Sequence, residues 1–147
     1  MNGIVGERRK ARIVAFKALF ETDCVGHASA LVLERLLENS PLSPSRVEFA
    51  KRLVAGVVEN LERIDEVIHA TAPEWPMDQL SKVDKNILRL AIFEILINND
   101  VPPKAAINEA VEMAKSFGGD NSYKFINGVL GTVMRSHSPS APAGEFI

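Results

Sequence analysis

Residues 101–133, VPPKAAINEAVEMAKSFGGDNSYKFINGVLGTV, leave little choice but a helical hairpin. Pro102 and Pro103 suit a helix start, because a first-turn proline gives up an N–H that would be unpaired anyway. Ile107, Ala110, Val111 and Ala114 then recur at i, i+3, i+4 and i+7, one face of a helix. Gly118 and Gly119 are expected to end that helix by taking the left-handed conformation. Asp120, Asn121 and Ser122 are all good caps for the next helix. On it, Ile126, Val129, Leu130 and Val133 repeat the apolar stripe. Lys115, Lys124 and Phe125 cluster around the elbow, and Phe125 sits one position off the stripe. A core phenylalanine between two solvated lysines is the ordinary explanation. The elbow therefore gains a functional meaning only from elsewhere in the chain.

The remaining sequence carries the same period. A helix is expected over about residues 7–24, after a loose leader (residues 1–6) with two glycines. Ala11, Val14, Ala15, Ala18 and Leu19 form its inner face. On another face Arg9, Arg12, Phe16 and Phe20 fall together, with Ile13 beside them. Arginines interleaved with aromatic rings suit single-stranded nucleic acid, since guanidinium groups take phosphates and rings stack on splayed bases. Phe16 is read as packing against a second helix, and Phe20 stays open between packing and stacking. A short helix over residues 30–39 follows. Ser43 as cap and Pro44 as first helical residue open a long helix over residues 44–70, with Val47, Ala50, Val54, Val57, Val58, Leu61, Ile64 and Ile68 as its stripe. Gly56 or Asn60 is expected to bend it or divide it in two.

Pro73 and Pro76 flank Trp75 and prevent regular helix over residues 71–81. Trp75 is expected to plug the seam between two helical lobes. A further helix over residues 82–98 buries Ile87, Leu88, Ala91, Ile92, Ile95 and Leu96. The Ser/Pro/Ala-rich end reads as a disordered tail. No segment alternates with a period of two between hairpin turns. The chain is therefore expected to be all-α: an N-terminal bundle (1–72), a C-terminal bundle (73–135) and a tail (136–147), with three helices on each side of the seam.

Composition narrows the function. A chain of 147 residues that is 46% hydrophobic and 24% charged is ordinary for a globular protein. Its net charge of −2 announces no general affinity for nucleic acid. Yet Arg8, Arg9, Lys10, Arg12 and Lys17 follow closely on a single acid, Glu7, which makes a local basic stripe. The single cysteine, Cys24, forms no intramolecular disulfide, which suits a reducing cytoplasm. No apolar run reaches the length of a bilayer. His27, His69 and His137 share no metal-binding motif. Nucleotide-binding and hydrolase fingerprints are missing. Glu109 and Glu112 lack the Glu-x-x-His pattern of carboxylate metal sites. Neither a catalytic residue, a metal nor a cofactor is expected.

Three stretches together resemble one family. They are RRKARIVAFKALF (residues 8–20), VDKNILRLAIFEIL (83–96) and VPPKAAINEAVEMAKSFGGDNSYKFINGVL (101–130). The long ordered pattern AINEA…AKSFG…KF-NGVL is the most specific. The sequence resembles the NusB family of bacterial transcription antitermination factors over about residues 7–135. The resemblance implies an all-helical fold of two packed three-helix bundles. It implies binding of single-stranded boxA RNA from ribosomal RNA operons together with NusE, a small-subunit ribosomal protein. It also implies a place in the RNA polymerase elongation complex with other Nus factors, where premature termination is suppressed. By position, Arg8, Arg9, Lys10 and Arg12 correspond to the family's arginine-rich motif and Phe20 to its adjacent aromatic, often a tyrosine. Stacking survives that change and a hydroxyl hydrogen bond does not. Lys115, Asn121, Ser122, Lys124 and Phe125 correspond to the C-terminal RNA contacts, with Asn121 where an acid is common. Asp84 lies on a helix whose counterpart helps form the RNA and NusE surfaces, and it is assigned to the protein partner. Two rivals remain: a homodimer that occludes the basic helix, and a stand-alone relative of an RNA methyltransferase accessory domain.

Overall fold

The computed structural model describes residues 2–137, with side chains from Gly6 onward. Among these residues every regular element is helical. The chain divides into two units between Asn60 and Leu61, rather than at the Pro-Trp-Pro segment.

The first unit holds α1 (Asn2–Val25), α2 (Ser29–Glu38) and α3 (Pro44–Glu59). Helix α1 begins at Asn2, so residues 2–6 are helical and not the expected loose leader. It ends where Gly26 turns left-handed, with φ +77°, and its N–H donates to the Thr22 carbonyl at 2.8 Å. That is the role glycine has at a helix C-terminus. The predicted inner face of Ala11, Val14, Ala15, Ala18 and Leu19 is buried, and so is Phe16. They meet Val32 and Leu33 of α2 and a stripe on α3 made by Phe49, Ala50, Leu53, Val54 and Val57. That stripe is rotated from the predicted one. Phe49 and Leu53 are inside, Val47 is half-buried and Val58 is exposed. Ser43 sits in extended backbone before α3 without capping it through its hydroxyl, which donates instead to Glu7 Oε1 at 3.1 Å.

Asn60 divides the long predicted helix. Its backbone leaves the helical range at φ −113°, and its side-chain Nδ2 donates to the Gly56 carbonyl at 2.8 Å. A short polar side chain that competes for the main chain in this way favours a helix end.

The second unit holds α4 (Leu61–Thr71), one 3₁₀ turn (Met77–Gln79), α5 (Lys82–Ile92), a π-helical turn (Phe93–Asn98), α6 (Pro103–Phe117) and α7 (Ser122–His137). It therefore contains four helices, with α4 packed against α5 and α7. Residues Lys85 to Ile92 of α5 are all buried, the mark of a central helix. Of its two charged members, Lys85 and Arg89, the second is held by a two-point ion pair with Asp65 of α4, Nε to Oδ1 at 2.9 Å and Nη2 to Oδ2 at 2.8 Å. Fork-to-fork geometry of this kind fixes orientation as well as charge. The predicted helix over residues 82–98 widens into the π turn, which ends at Asn99 in the left-handed region, φ 56°. Leu96, expected inside, is only half-buried.

In the hairpin, Ile126, Val129, Leu130 and Val133 are buried as predicted. On α6 the buried face is Ala106, Ile107, Ala110, Met113 and Ala114, with Val111 turned partly outward. Helix α7 continues to His137, and the remainder of the expected tail lies outside the described residues.

Candidate nucleic-acid interface

On α1 the basic residues separate into two kinds. Arg9 and Lys10 are exposed, Arg8 is half-buried, and Arg12 is only 4% exposed. The guanidinium carbons of Arg8 and Arg12 each lie 5.2 Å from the centroid of the Phe49 ring, and that of Arg52 lies 5.9 Å away. Three cations around one ring face or edge are cation–π neighbours. Arg12 is thereby part of the packing of α1 on α3, and the outward charge of the stripe rests on Arg9, Lys10 and Lys17. Phe49 attracted no attention in the sequence. Nothing local marks a ring that gathers arginines from another helix. Phe16 is buried, and Phe20 is half-buried against it, ring centroids 6.0 Å apart and tilted by 36°.

The elbow between α6 and α7 is built differently from its expectation. Gly118 ends α6 in extended backbone, φ −94° and ψ −176°, and Gly119 has no positive φ. Glycine is needed at 118 for space. A Cβ there would come within 2.6 Å of Ser122 Cβ and Oγ and 2.8 Å of the Ala114 carbonyl. The Ser122 hydroxyl accepts from the Gly119 N–H at 2.9 Å, which holds the turn closed. Lys115 and Lys124 both lie over the Tyr123 ring, Nζ at 5.5 and 5.9 Å from its centroid, and Lys115 also pairs with Glu112 at 3.5 Å. Tyr123 is a further residue that sequence reasoning passed over.

Phe125 is half-buried and meets Trp75 edge-on, centroids 6.0 Å apart at 72°. Trp75 is 47% exposed and does not plug a seam. Its neighbouring prolines keep the segment out of helix and leave the indole at the surface. The two rings border a groove of about 450 Å³ that also touches Gln79, Leu80, Ser81, Asp84, Asn121 and Ser122. Three of the residues carried over from the resemblance, Asn121, Ser122 and Phe125, thus share one groove with Asp84. Lys115 and Lys124 stand on the Tyr123 side of the elbow. Ser81 Oγ accepts from the Asp84 N–H at 3.0 Å and starts α5. Among the described residues there is no cluster of potential metal ligands, and no helix is long and apolar enough to cross a membrane.

The NusB family model matches residues 9–135. A transcription antitermination protein NusB of Dehalococcoides mccartyi strain CBDB1 is 52% identical over 138 residues, covering 94% of this chain and 96% of that protein. One from Chloroflexus aggregans is 46% identical over 144 residues, 97% of this chain and 96% of its own length. Among solved structures, T. maritima NusB superposes with a TM-score of 0.85 at 38% identity, covering 90% of this chain and 94% of that one. A chain from the complex of antitermination factors NusB and NusE with double-stranded RNA gives 0.82 at 27% identity, covering 88% and 97%. Basic helix, Gly-rich elbow and helical architecture therefore occur together in a chain that belongs to the NusB family of transcription antitermination proteins.

Proposed function

We propose that this protein binds the boxA RNA of ribosomal RNA operons together with NusE, and that within the RNA polymerase elongation complex it prevents premature termination. It acts in the cytoplasm as a non-catalytic binding factor. The observation that carries the reading is the likeness to a NusB chain solved with NusE and RNA, in a protein whose α1 presents exposed Arg9 and Lys10. Each unit supplies one kind of contact. On α1, Arg9 and Lys10 attract phosphates, with Arg8 beside them and Phe20 as a partly exposed ring. At the elbow, Lys115 and Lys124 add charge and Phe125 adds a stacking surface, with Asn121 and Ser122 as polar groups at the rim. Stacking of one base on such a ring contributes about 1–3 kcal/mol in other single-strand binders. The exposed cations are few, so the protein alone binds RNA modestly and NusE extends the surface.

The test is a titration of the full chain with boxA RNA and with a scrambled RNA, with and without NusE. Tighter, salt-sensitive binding of boxA that increases with NusE is expected, and equal binding of both RNAs sinks the reading. Phe125→Ala lowers boxA affinity about tenfold with little change in salt slope. A loss of folding by circular dichroism instead returns Phe125 to a packing role. Light scattering with and without RNA separates this reading from a homodimer that hides α1.

A further inference from the structure

The groove beside the elbow is lined by Asp84, whose carboxyl phosphate binding does not use. Asp84 Oδ1 is buried and has no hydrogen-bond partner. A buried acceptor without a donor is costly and rare, so its place in the fold calls for a reason. Ser81 Oγ caps α5 by accepting from the Asp84 main-chain N–H, and that bond leaves the Asp84 carboxyl oxygen unpaired. The same residue lines the groove bordered by Trp75 and Phe125. These rings meet edge-on instead of stacking on one another, and Trp75 is 47% exposed. A ring face therefore remains for a planar ligand. At about 450 Å³ the groove lies within the ~300–1,000 Å³ of small-ligand sites.

We propose that this groove takes one unstacked guanine of a bound RNA strand, stacked on the Trp75–Phe125 pair and read at its Watson–Crick edge by Asp84. The proposal rests on the RNA-binding reading above and names the base at one position. A carboxylate only accepts hydrogen bonds. Uracil presents one N–H between two carbonyl oxygens. Adenine and cytosine each set an amino group beside a bare ring nitrogen. Guanine alone offers two adjacent donors, N1–H and the N2 amine, with no lone pair facing the carboxylate. Asn121 and Ser122 on the same rim carry donors suited to the guanine O6 acceptor. Lys124, next to Phe125 in the chain, and Lys115 place positive charge at the elbow for the flanking phosphates. An arginine from a protein partner carries a similar planar set of donors and is the competing occupant. The lysines on the Tyr123 side of the elbow favour the nucleic acid, whose phosphates they attract.

The experiment uses the full chain and a labelled short oligouridine, with a single central uridine replaced by guanosine, inosine, adenosine or cytidine, read by fluorescence anisotropy. The guanosine strand is expected to bind about tenfold tighter than oligouridine, with inosine, which lacks the N2 amine, in between. Asp84→Ala lowers the guanosine strand to the level of the uridine strand, and Asp84→Asn, of the same size, reduces the preference; circular dichroism checks that both variants fold. Trp75→Leu weakens the guanosine strand about tenfold through lost stacking. Salt-dependent binding of oligouridine without any guanosine preference overturns the proposal and leaves the RNA reading standing. A preference for adenosine or cytidine overturns it as well. So does a guanosine preference that persists in Asp84→Ala while capture of NusE is lost, which gives Asp84 to a protein arginine. Failure to bind any of the strands, while boxA RNA with NusE is bound, overturns the proposal and leaves the RNA reading standing.

Discussion

On α1 and α3 three guanidinium groups gather around the ring of Phe49, which is 1% exposed, whereas at the elbow Phe125 meets an indole that is half in solvent. Both regions combine cations and aromatic rings, yet the balance is reversed. In the first the ring is interior, and it draws Arg12 into the packing while Arg9 and Lys10 remain outside. In the second the rings form the surface, and the buried group is a carboxyl oxygen with no partner. The difference teaches that a basic-aromatic pattern does not say which component faces the ligand. A buried ring turns arginine into a packing group, and an exposed ring is itself offered for stacking.

The elbow groove depends on the scaffold behind it. Asp65→Ala removes the two-point ion pair from the buried Arg89 guanidinium, and is expected to destabilise the second unit by ~3 kcal/mol in a denaturant titration. A midpoint that does not move makes the Asp65–Arg89 pair incidental. Gly118→Ala drives a Cβ into Ser122 and the Ala114 carbonyl, and is expected to cost about 1–3 kcal/mol while disturbing the groove. Unchanged thermal stability together with unchanged RNA affinity means that the elbow has more room than its geometry indicates.

The two kinds of arginine on α1 are separable by a paired measurement. Arg12→Ala is expected to lower stability by about 1 kcal/mol through the lost contact with Phe49. Arg9→Ala leaves stability within about 0.5 kcal/mol and reduces the salt slope of RNA binding by about 1. If Arg12→Ala changes the slope and Arg9→Ala does not, the division of labour on α1 is the reverse of that drawn here.

The smallest effect concerns Glu21 of the same unit. The Arg35 hydrogen bond, with His27 beyond it, holds the Glu21 carboxyl below its ordinary value of 4.5. A depressed folded-state value contributes stability that is complete above the unfolded value and is lost as the pH falls through the folded one. Glu21→Gln is therefore expected to lower Tm slightly at pH 7 and to match the parent in acid well below the depressed folded-state value. Equal Tm at both pH values shows the contact to be idle, as exposed ion pairs often are.

The elements were legible wherever one helix had one apolar face. Ile126, Val129, Leu130 and Val133 are spaced so that only one side of α7 buries them all, and the inner face of α1 followed for the same reason. Reading failed where the choice belonged to a neighbour. The stripe on α3 is rotated to admit Phe49 and Leu53 because α1 and α2 meet it from that side. The turn at Asn60 was legible only as one of two candidates, since an asparagine and a helical glycine both weaken a helix. At the elbow, the residues Asn121, Ser122 and Phe125 were found through the family pattern, whereas Trp75 lies 50 residues earlier in the chain and no local signal connects it to Phe125.

By itself the sequence determined that this chain is helical, where most of its helices begin and end, and that a stripe of net positive charge lies at one end of an otherwise acidic protein. Those properties are local, set by spacing, proline and glycine placement, and composition. Only the tertiary structure decided that Arg12 turns inward, that Gly118 is required for space rather than for its φ, and that Trp75 stands at the surface beside Phe125 and Asp84. These depend on which atoms from distant segments arrive at the same point. Close packing and unsatisfied hydrogen bonds act over a few ångströms in space, whatever the separation along the chain.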